Sequence, residues 1–424
     1  MKNLLKSVLP IAILVVPLFA SFGSAAPFAY IANQNSNSVS VVDLGSNQVT
    51  DIVDVETGPF GIAVDSSGTY IYIANSTDGS VSVYDPSETY PGYLVSVGQY
   101  PVAVELNPKQ TCAYVVNYSS NDVSVLNLDT YTVSATFAVG KSPADIVVNP
   151  YDTRVYVSNT IDNTISVIDT ATQTSITDIA VGQFPVGLAI NETGKTLYVA
   201  NRNDGTISII NTDSNLVETT ISVGQTPMGI ALSSDGSRLY VGNDGSETIS
   251  VIDTTTKKLL LDIHVENNGH IGITPGGTHI IATDSKNDTI SVIDTLTHLV
   301  IATIAVSDTP IGFGSFITPY TEDIKIKSLS MDIAGTVAAN TPVRVSVNAI
   351  GPSEIYYRFR YIAGFGTEDY ESNTSVVMQN WTTKNYCDFV FLAADNYMVL
   401  VEALADPKNP PTPIPIIGTN IKVE

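Results

Sequence analysis

Three residues with the chemistry to bind something interrupt runs of very small side chains in this 424-residue sequence. Residues spaced about 42 apart form the column Gly61, Ala103, Asp145, Gly187, Gly229, His270 and Gly312. Two places on, a second column reads Ala63, Glu105, Val147, Ala189, Ala231, Gly272 and Gly314. Columns of glycine and alanine indicate backbone crowded against backbone. A charge buried there without a partner is costly, so Glu105, Asp145 and His270 must face water or one another. These three are the candidate binding residues. Polar lining of a water-filled channel is their plain use, and a cation or polar-ligand site is the sharper one.

Other chemistry is sparse. The four histidines, His264, His270, His279 and His298, cluster late in the chain, but zinc needs three or four ligands converging in space. An aspartate column (Asp43, Asp85, Asp169, Asp253 and Asp294, with Asn127 and Asn211) ends strands before Thr/Ser-rich turns, which fits Asx-turn capping better than calcium. No nucleophile elbow, phosphate loop or paired-carboxylate motif occurs, so no catalytic residue, metal ligand or cofactor is assigned. Cys112 and Cys387 are the only cysteines, and their pairing cannot be read from spacing. Six Asn-x-Ser/Thr sequons begin at Asn75, Asn117, Asn191, Asn287, Asn373 and Asn380, of which the loop sites suit glycosylation best.

The columns exist because the chain repeats. Tyr30, Tyr72, Tyr114, Tyr156, Tyr198 and Tyr240 stand 42 residues apart, and Ile281 follows 41 later. Each opens a tetrapeptide ending in Asn33, Asn75, Asn117, Asn159, Asn201 or Asn243, with Asp284 in the seventh copy. A Val/Ile-Ser-Val/Ile run follows, and its serines are Ser40, Ser82, Ser124, Ser166, Ser208, Ser250 and Ser291. Each copy reads as four short strands separated by turn formers. One copy gives Val186–Ile190, Thr196–Asn201, Thr206–Asn211 and Thr219–Val223. The serine is expected where neighbouring copies approach closely. A four-stranded unit repeated seven times predicts an all-β, seven-bladed β-propeller over residues 26–319. Glu105 and Asp145 then fall on adjacent blades, with His270 across the ring facing the same axial cavity.

The segments Tyr198-Val199-Ala200-Asn201, Tyr156-Val157-Ser158-Asn159 and Ile165-Ser166-Val167-Ile168-Asp169-Thr170 closely resemble the YVTN-type β-propeller repeat family. So do Pro185-Val186-Gly187-Leu188-Ala189 and the Val-Gly pairs at 139–140, 181–182 and 223–224. The resemblance spans all seven copies. It implies an extracellular or surface-layer-associated protein of archaea or bacteria, and it carries over no catalytic residues.

The ends of the repeat region are complementary. Residues 27–33 begin at the second strand of a unit, while Ile311–Thr318 repeats a first strand and stops. The C-terminal strand should therefore complete the first blade and remove two open edges. Residues 320–424 lose the repeat. About seven longer strands there predict a small immunoglobulin-like β-sandwich, with Trp381 as a core anchor.

Residues 1–25 read as a cleaved secretion signal. Lys2 and Lys6 precede the apolar run Val8 to Ala20, which is too short to span a bilayer, and small residues follow at 23–26. The mature chain is expected outside the cytoplasm, secreted or at the cell surface, with the periplasm as an alternative, and without a transmembrane anchor. With 19 Lys+Arg against 42 Asp+Glu, the net charge of -23 repels nucleic acid and anionic membranes. The function expected is a surface-layer-like or cell-envelope scaffold or binding protein. Its propeller would be a display platform, its sandwich a spacer or adhesion module, and its partner an extracellular protein, a glycan or an envelope component. The alternative is a propeller enzyme of lactonase or lyase type with a site at the channel mouth, a reading that rests on fold analogy.

Overall fold

The computed structural model describes residues 27–85, 92–266 and 268–318, together with seven C-terminal strands between residues 325 and 422. The segment read as a secretion signal lies outside the described residues.

Each repeat folds into a four-stranded antiparallel sheet, and seven such sheets surround one axis. The only helical turn among the described residues is Asp244–Ser246. Blade 5 shows the plan: Pro185–Ile190 is innermost, followed outward by Thr196–Asn201, Thr206–Asn211 and Leu216–Ser222. Innermost strands of the other blades are Pro59–Val64 (blade 2), Pro101–Leu106 (3), Pro143–Val148 (4), Pro227–Leu232 (6) and Asn268–Ile273 (7). The outermost strand starts at Leu216, three residues before the expected Thr219. Its residues are mostly exposed, so the burial pattern that marks the other strands is missing there.

The second and third strands of each blade are buried on both faces, because neighbouring blades cover them. Tyr156, for example, packs with Leu197 and Val199 of the next blade. The repeated asparagine is fully buried and ties these two strands together. Asn159 Nδ2 donates to Thr164 Oγ1 (3.0 Å) and Ser166 Oγ (2.9 Å). Asn33, Asn75, Asn117, Asn201 and Asn243 make the matching bond to the repeated serine. The serine is thus a buried acceptor for its own blade's asparagine. The Val-Gly pairs crowd the same asparagine: a Cβ on Gly140 would lie 2.5 Å from the Asn159 side chain.

Blade 1 holds Phe28–Asn33, Ser38–Asp43 and Gln48–Asp54, and its innermost strand, Pro310–Ile311, comes from the far end of the repeats. Ala32 pairs with Ile311 and Asn33 with Pro310. The regular strand is shorter than the expected Ile311–Thr318. At Gly314 the backbone turns left-handed (φ 85°), and a Cβ there would meet Ile62 O at 2.6 Å. The chain then rejoins blade 1, where Tyr30 N donates to Phe316 O and Thr318 N to Phe28 O, both at 2.8 Å.

Residues Ala25–Tyr320 form one compact unit, and residues 321–424 belong to another. The C-terminal strands make two sheets, one of three strands (Lys325–Met331, Pro342–Ile350, Tyr386–Val390) and one of four. The four-stranded sheet runs in the order Val376–Thr382, Tyr356–Ala363, Asn396–Leu404, Ile416–Lys422.

Candidate functional site

The innermost strands crowd the axis, which explains the small-residue columns. A Cβ on Gly187 would lie 2.2 Å from Met228 O, and one on Gly61 would lie 2.4 Å from Val102 O. Two cavities open along this axis. The larger, about 580 Å³, lies toward the C-terminal ends of the innermost strands and is walled by small side chains, aliphatic residues and backbone. Glu105 and Asp145 line it together, as their adjacent blades predict. The smaller, about 170 Å³, lies at the N-terminal ends of these strands and is lined by Phe60, Tyr100, Tyr118, Phe184 and His270 among others. Phe313 lines both cavities.

The expectation that His270 shares a cavity with the two carboxyls is therefore corrected. Asp145 and His270 occupy the same repeat column, but their backbones differ. In blade 4 the ladder jumps from Pro143 to Ile146, leaving Asp145 in a bulge. In blade 7 pairing resumes one residue earlier, and His270 sits opposite Thr283 in the ladder. His270 instead joins an edge-to-face aromatic cluster, with ring centroids 5.3 Å from Phe313 and 6.1 Å from Phe60. Burial alone lowers its pKa to about 4, so the ring is neutral at physiological pH.

Asp145 does structural service as well as lining the cavity. Oδ1 accepts from Ile146 N and Oδ2 from Leu188 N on blade 5, both at 2.8 Å, so the carboxylate bridges two innermost strands. Its own N–H donates to Ser158 Oγ at 3.0 Å, and Ser158 donates to Val186 O at 2.8 Å. Burial raises the Asp145 pKa to about 7, against the two N–H donors that favour its anion. Glu105 is pushed further, to about 8, first by burial and then by the charge of Asp145. The hydroxyl of Ser315, which donates to Glu105 Oε2 at 3.3 Å, opposes that rise. Near neutrality the pair thus holds Glu105 mostly protonated beside a partly ionised Asp145. Such a pair can bind a polar group, or donate one proton and accept another.

The remaining candidates resolve into turns and surface. Asp169 Oδ1 accepts from Thr172 N, Asp253 Oδ1 from Thr256 N, and Asp294 Oδ1 from Thr297 N, the geometry of Asx turns. No group of three His, Cys, Asp or Glu side chains among the described residues is placed to hold a metal ion. His264 is exposed, and His279 Nδ1 lies 2.9 Å from Thr278 Oγ1. Cys112 is a free, half-buried thiol. Asn75 and Asn117, being fully buried, offer nothing to a glycosyl carrier in the folded state.

Sequence columns missed Ser315 and Phe313, which belong to the closing segment where the repeat breaks off. They also missed Tyr100 and Phe184. The only available signal was large aromatic residues at a position that holds Gly58 and Ser142 in sibling blades.

A family model described as lactonase, 7-bladed beta-propeller, matches residues 103–218, a stretch that contains Glu105 and Asp145 but not His270. No curated protein matches the chain. Among solved structures, the chain is similar to hydrazine synthase of Kuenenia stuttgartiensis at 18% identity and a TM-score of 0.58, covering 69% of this chain and 99% of that one. It is also similar to a functionally unknown protein from Desulfotomaculum acetoxidans DSM 771, at 13% identity and a TM-score of 0.60, covering 68% and 99%. At these identities the likeness is one of fold. Sheet topology and family model agree on a seven-bladed β-propeller.

Proposed function

We propose that the chain is an exported scaffold or binding protein of the cell envelope, with the propeller as a rigid frame and the C-terminal strands as a sandwich-like spacer or adhesion module. The observation that carries this reading is where the repeated polar residues go. In six blades the repeated asparagine is tied to serine inside the sheet, and the strand-end aspartates close turns. Committing the repeated polar groups to internal bonding makes a stiff ring that presents its loops and rims to a partner. The resemblance to YVTN-type repeats and the basic, apolar and small-residue order of residues 1–26 support a surface location. The partner is an extracellular protein, a glycan or another envelope component. Fractionating cells that express the full-length chain tests this. Recovery with the envelope, and saturable rebinding of purified protein to stripped envelopes, are expected. Recovery in the cytoplasm, or no rebinding, overturns it.

A second reading, an enzyme of lactonase type, is favoured by the family match over residues 103–218 and by the carboxyl pair inside it. In that reading Asp145 would take a proton from water as it attacks the lactone carbonyl, and Glu105 would give one to the departing alkoxide. The two N–H bonds already made to Asp145 weigh against it, since they hold the carboxylate to the backbone.

A further inference from the structure

We propose that the cavity at the Phe60 end of the axis binds a small neutral aromatic alcohol, a phenol in the simplest case, with its ring among the aromatic side chains and its hydroxyl bonded to His270. This site is separate from the Glu105–Asp145 cavity. Three observations carry the proposal.

The first is size and chemistry. The cavity measures about 170 Å³, comparable to the roughly 150 Å³ of an apolar protein cavity that takes up benzene, and it opens to solvent beside Tyr100, which is 41% exposed. Phe60, Tyr100, Tyr118, Phe184 and Phe313 contribute to its wall, and no Asp, Glu, Lys or Arg lines it. Phe60 and Phe313 already meet edge to face at 5.7 Å, and Tyr100 and Tyr118 at 6.1 Å, leaving faces and edges for one more ring. An ion would find no counter-charge there.

The second is the unpartnered imidazole. The His270 ring makes edge-to-face contacts but no hydrogen bond to any described residue. A neutral imidazole has one donor and one acceptor nitrogen, and a phenolic hydroxyl can satisfy either. A polar group held in an apolar wall without a partner is the feature that fixes a ligand's orientation.

The third is backbone strain. Before the innermost strand, the chain turns left-handed in blade after blade, at Gly58 (φ 72°), Ser142 (52°), Thr226 (50°) and Thr309 (59°). Tyr100 (56°) and Phe184 (55°) hold the same position. Bulky side chains are poorly suited to this conformation, and residues kept in it despite the strain cluster at binding sites. Both rings line this cavity.

Calorimetric titration of the full-length chain with p-cresol, toluene and the tripeptide Ala-Tyr-Ala tests the proposal. p-Cresol is expected to bind at least ten-fold more tightly than toluene, with an affinity that stays constant between pH 5.5 and 8 because His270 stays neutral. Tyr100→Gly places there the residue found at Gly58. It should keep or raise the thermal midpoint while weakening p-cresol at least ten-fold. Phe184→Ser, which matches Ser142 of the preceding blade, should weaken p-cresol likewise. His270→Phe should abolish the preference for p-cresol over toluene. The proposal is overturned if the wild type binds neither p-cresol nor toluene, or if both Tyr100→Gly and Phe184→Ser bind p-cresol as the wild type does. Binding of the tripeptide alone would assign the cavity to a polypeptide side chain and overturn it equally.

Discussion

Replacing Glu105 by glutamine should remove a pH dependence of stability that runs opposite to that of ordinary carboxylates. In the folded chain Glu105 is raised from 4.5 to about 8, chiefly by burial and then by the charge of Asp145. Between these values the folded state keeps a proton that the unfolded chain has released. The stability this group contributes is therefore complete below about pH 4.5 and is lost as pH rises through 8. At 1.36 kcal/mol per tenfold change in proton affinity, the full shift corresponds to roughly 5 kcal/mol. The side chain keeps partial exposure to the cavity, and solvent there reduces the figure to roughly 2–3 kcal/mol. Glutamine mimics the protonated form in shape and charge and can still meet Ser315. Thermal unfolding of wild type and Glu105→Gln should coincide near pH 4.5. At pH 8.5 the variant's propeller transition should lie roughly 5 °C higher. If the two profiles stay parallel throughout, or if the variant is the less stable at pH 8.5, then Glu105 is not held in a desolvated site.

Three further outcomes follow from the packing. Asn159→Ala removes the donor to Thr164 and Ser166 inside a sealed sheet, and should cost about 1–3 kcal/mol in chemical denaturation, whereas Asn191→Ala in its turn should cost less. Gly187→Ala drives a Cβ to 2.2 Å from Met228 O and should destabilise by about 1–3 kcal/mol, while Gly276→Ala, with nothing within 4 Å, should be close to neutral; equal effects would contradict the crowded axis. A chain ended after Tyr320 should retain a cooperative propeller transition, and one ended after Thr309 should not, because it lacks Pro310–Ile311 and the Phe316 and Thr318 bonds that complete blade 1.

The blades were legible because their buried strands carry the same chemistry at a fixed period. Tyr156 and Asn159 recur in kind in six blades and Ser166 in all seven, and each is nearly sealed from solvent, so a substitution there would be felt in packing or hydrogen bonding. Outermost strands such as Leu216–Ser222 face water over most of their length, so their starts left little trace in the residue pattern. The axial position of Glu105 and Asp145 was readable from the columns, since any side chain in place of glycine must find room there. The separation of His270 from them was not. It depends on whether a bulge skips one residue or two in the ladder, a backbone choice that repeat spacing does not encode. Ser315 and Phe313 lie where the repeat has ended, and only the closed ring brings them to the axis.

Lactone turnover most directly tests whether the ring is a frame for binding or a catalyst. Full-length protein would be incubated with γ- and δ-lactones at pH 7, with acid release followed in a pH-stat. A binding scaffold predicts release no faster than that given by the Glu105→Gln, Asp145→Asn double variant. Turnover by the wild type that the double variant abolishes, with its thermal transition preserved, would contradict the scaffold and establish the carboxyl pair as catalytic.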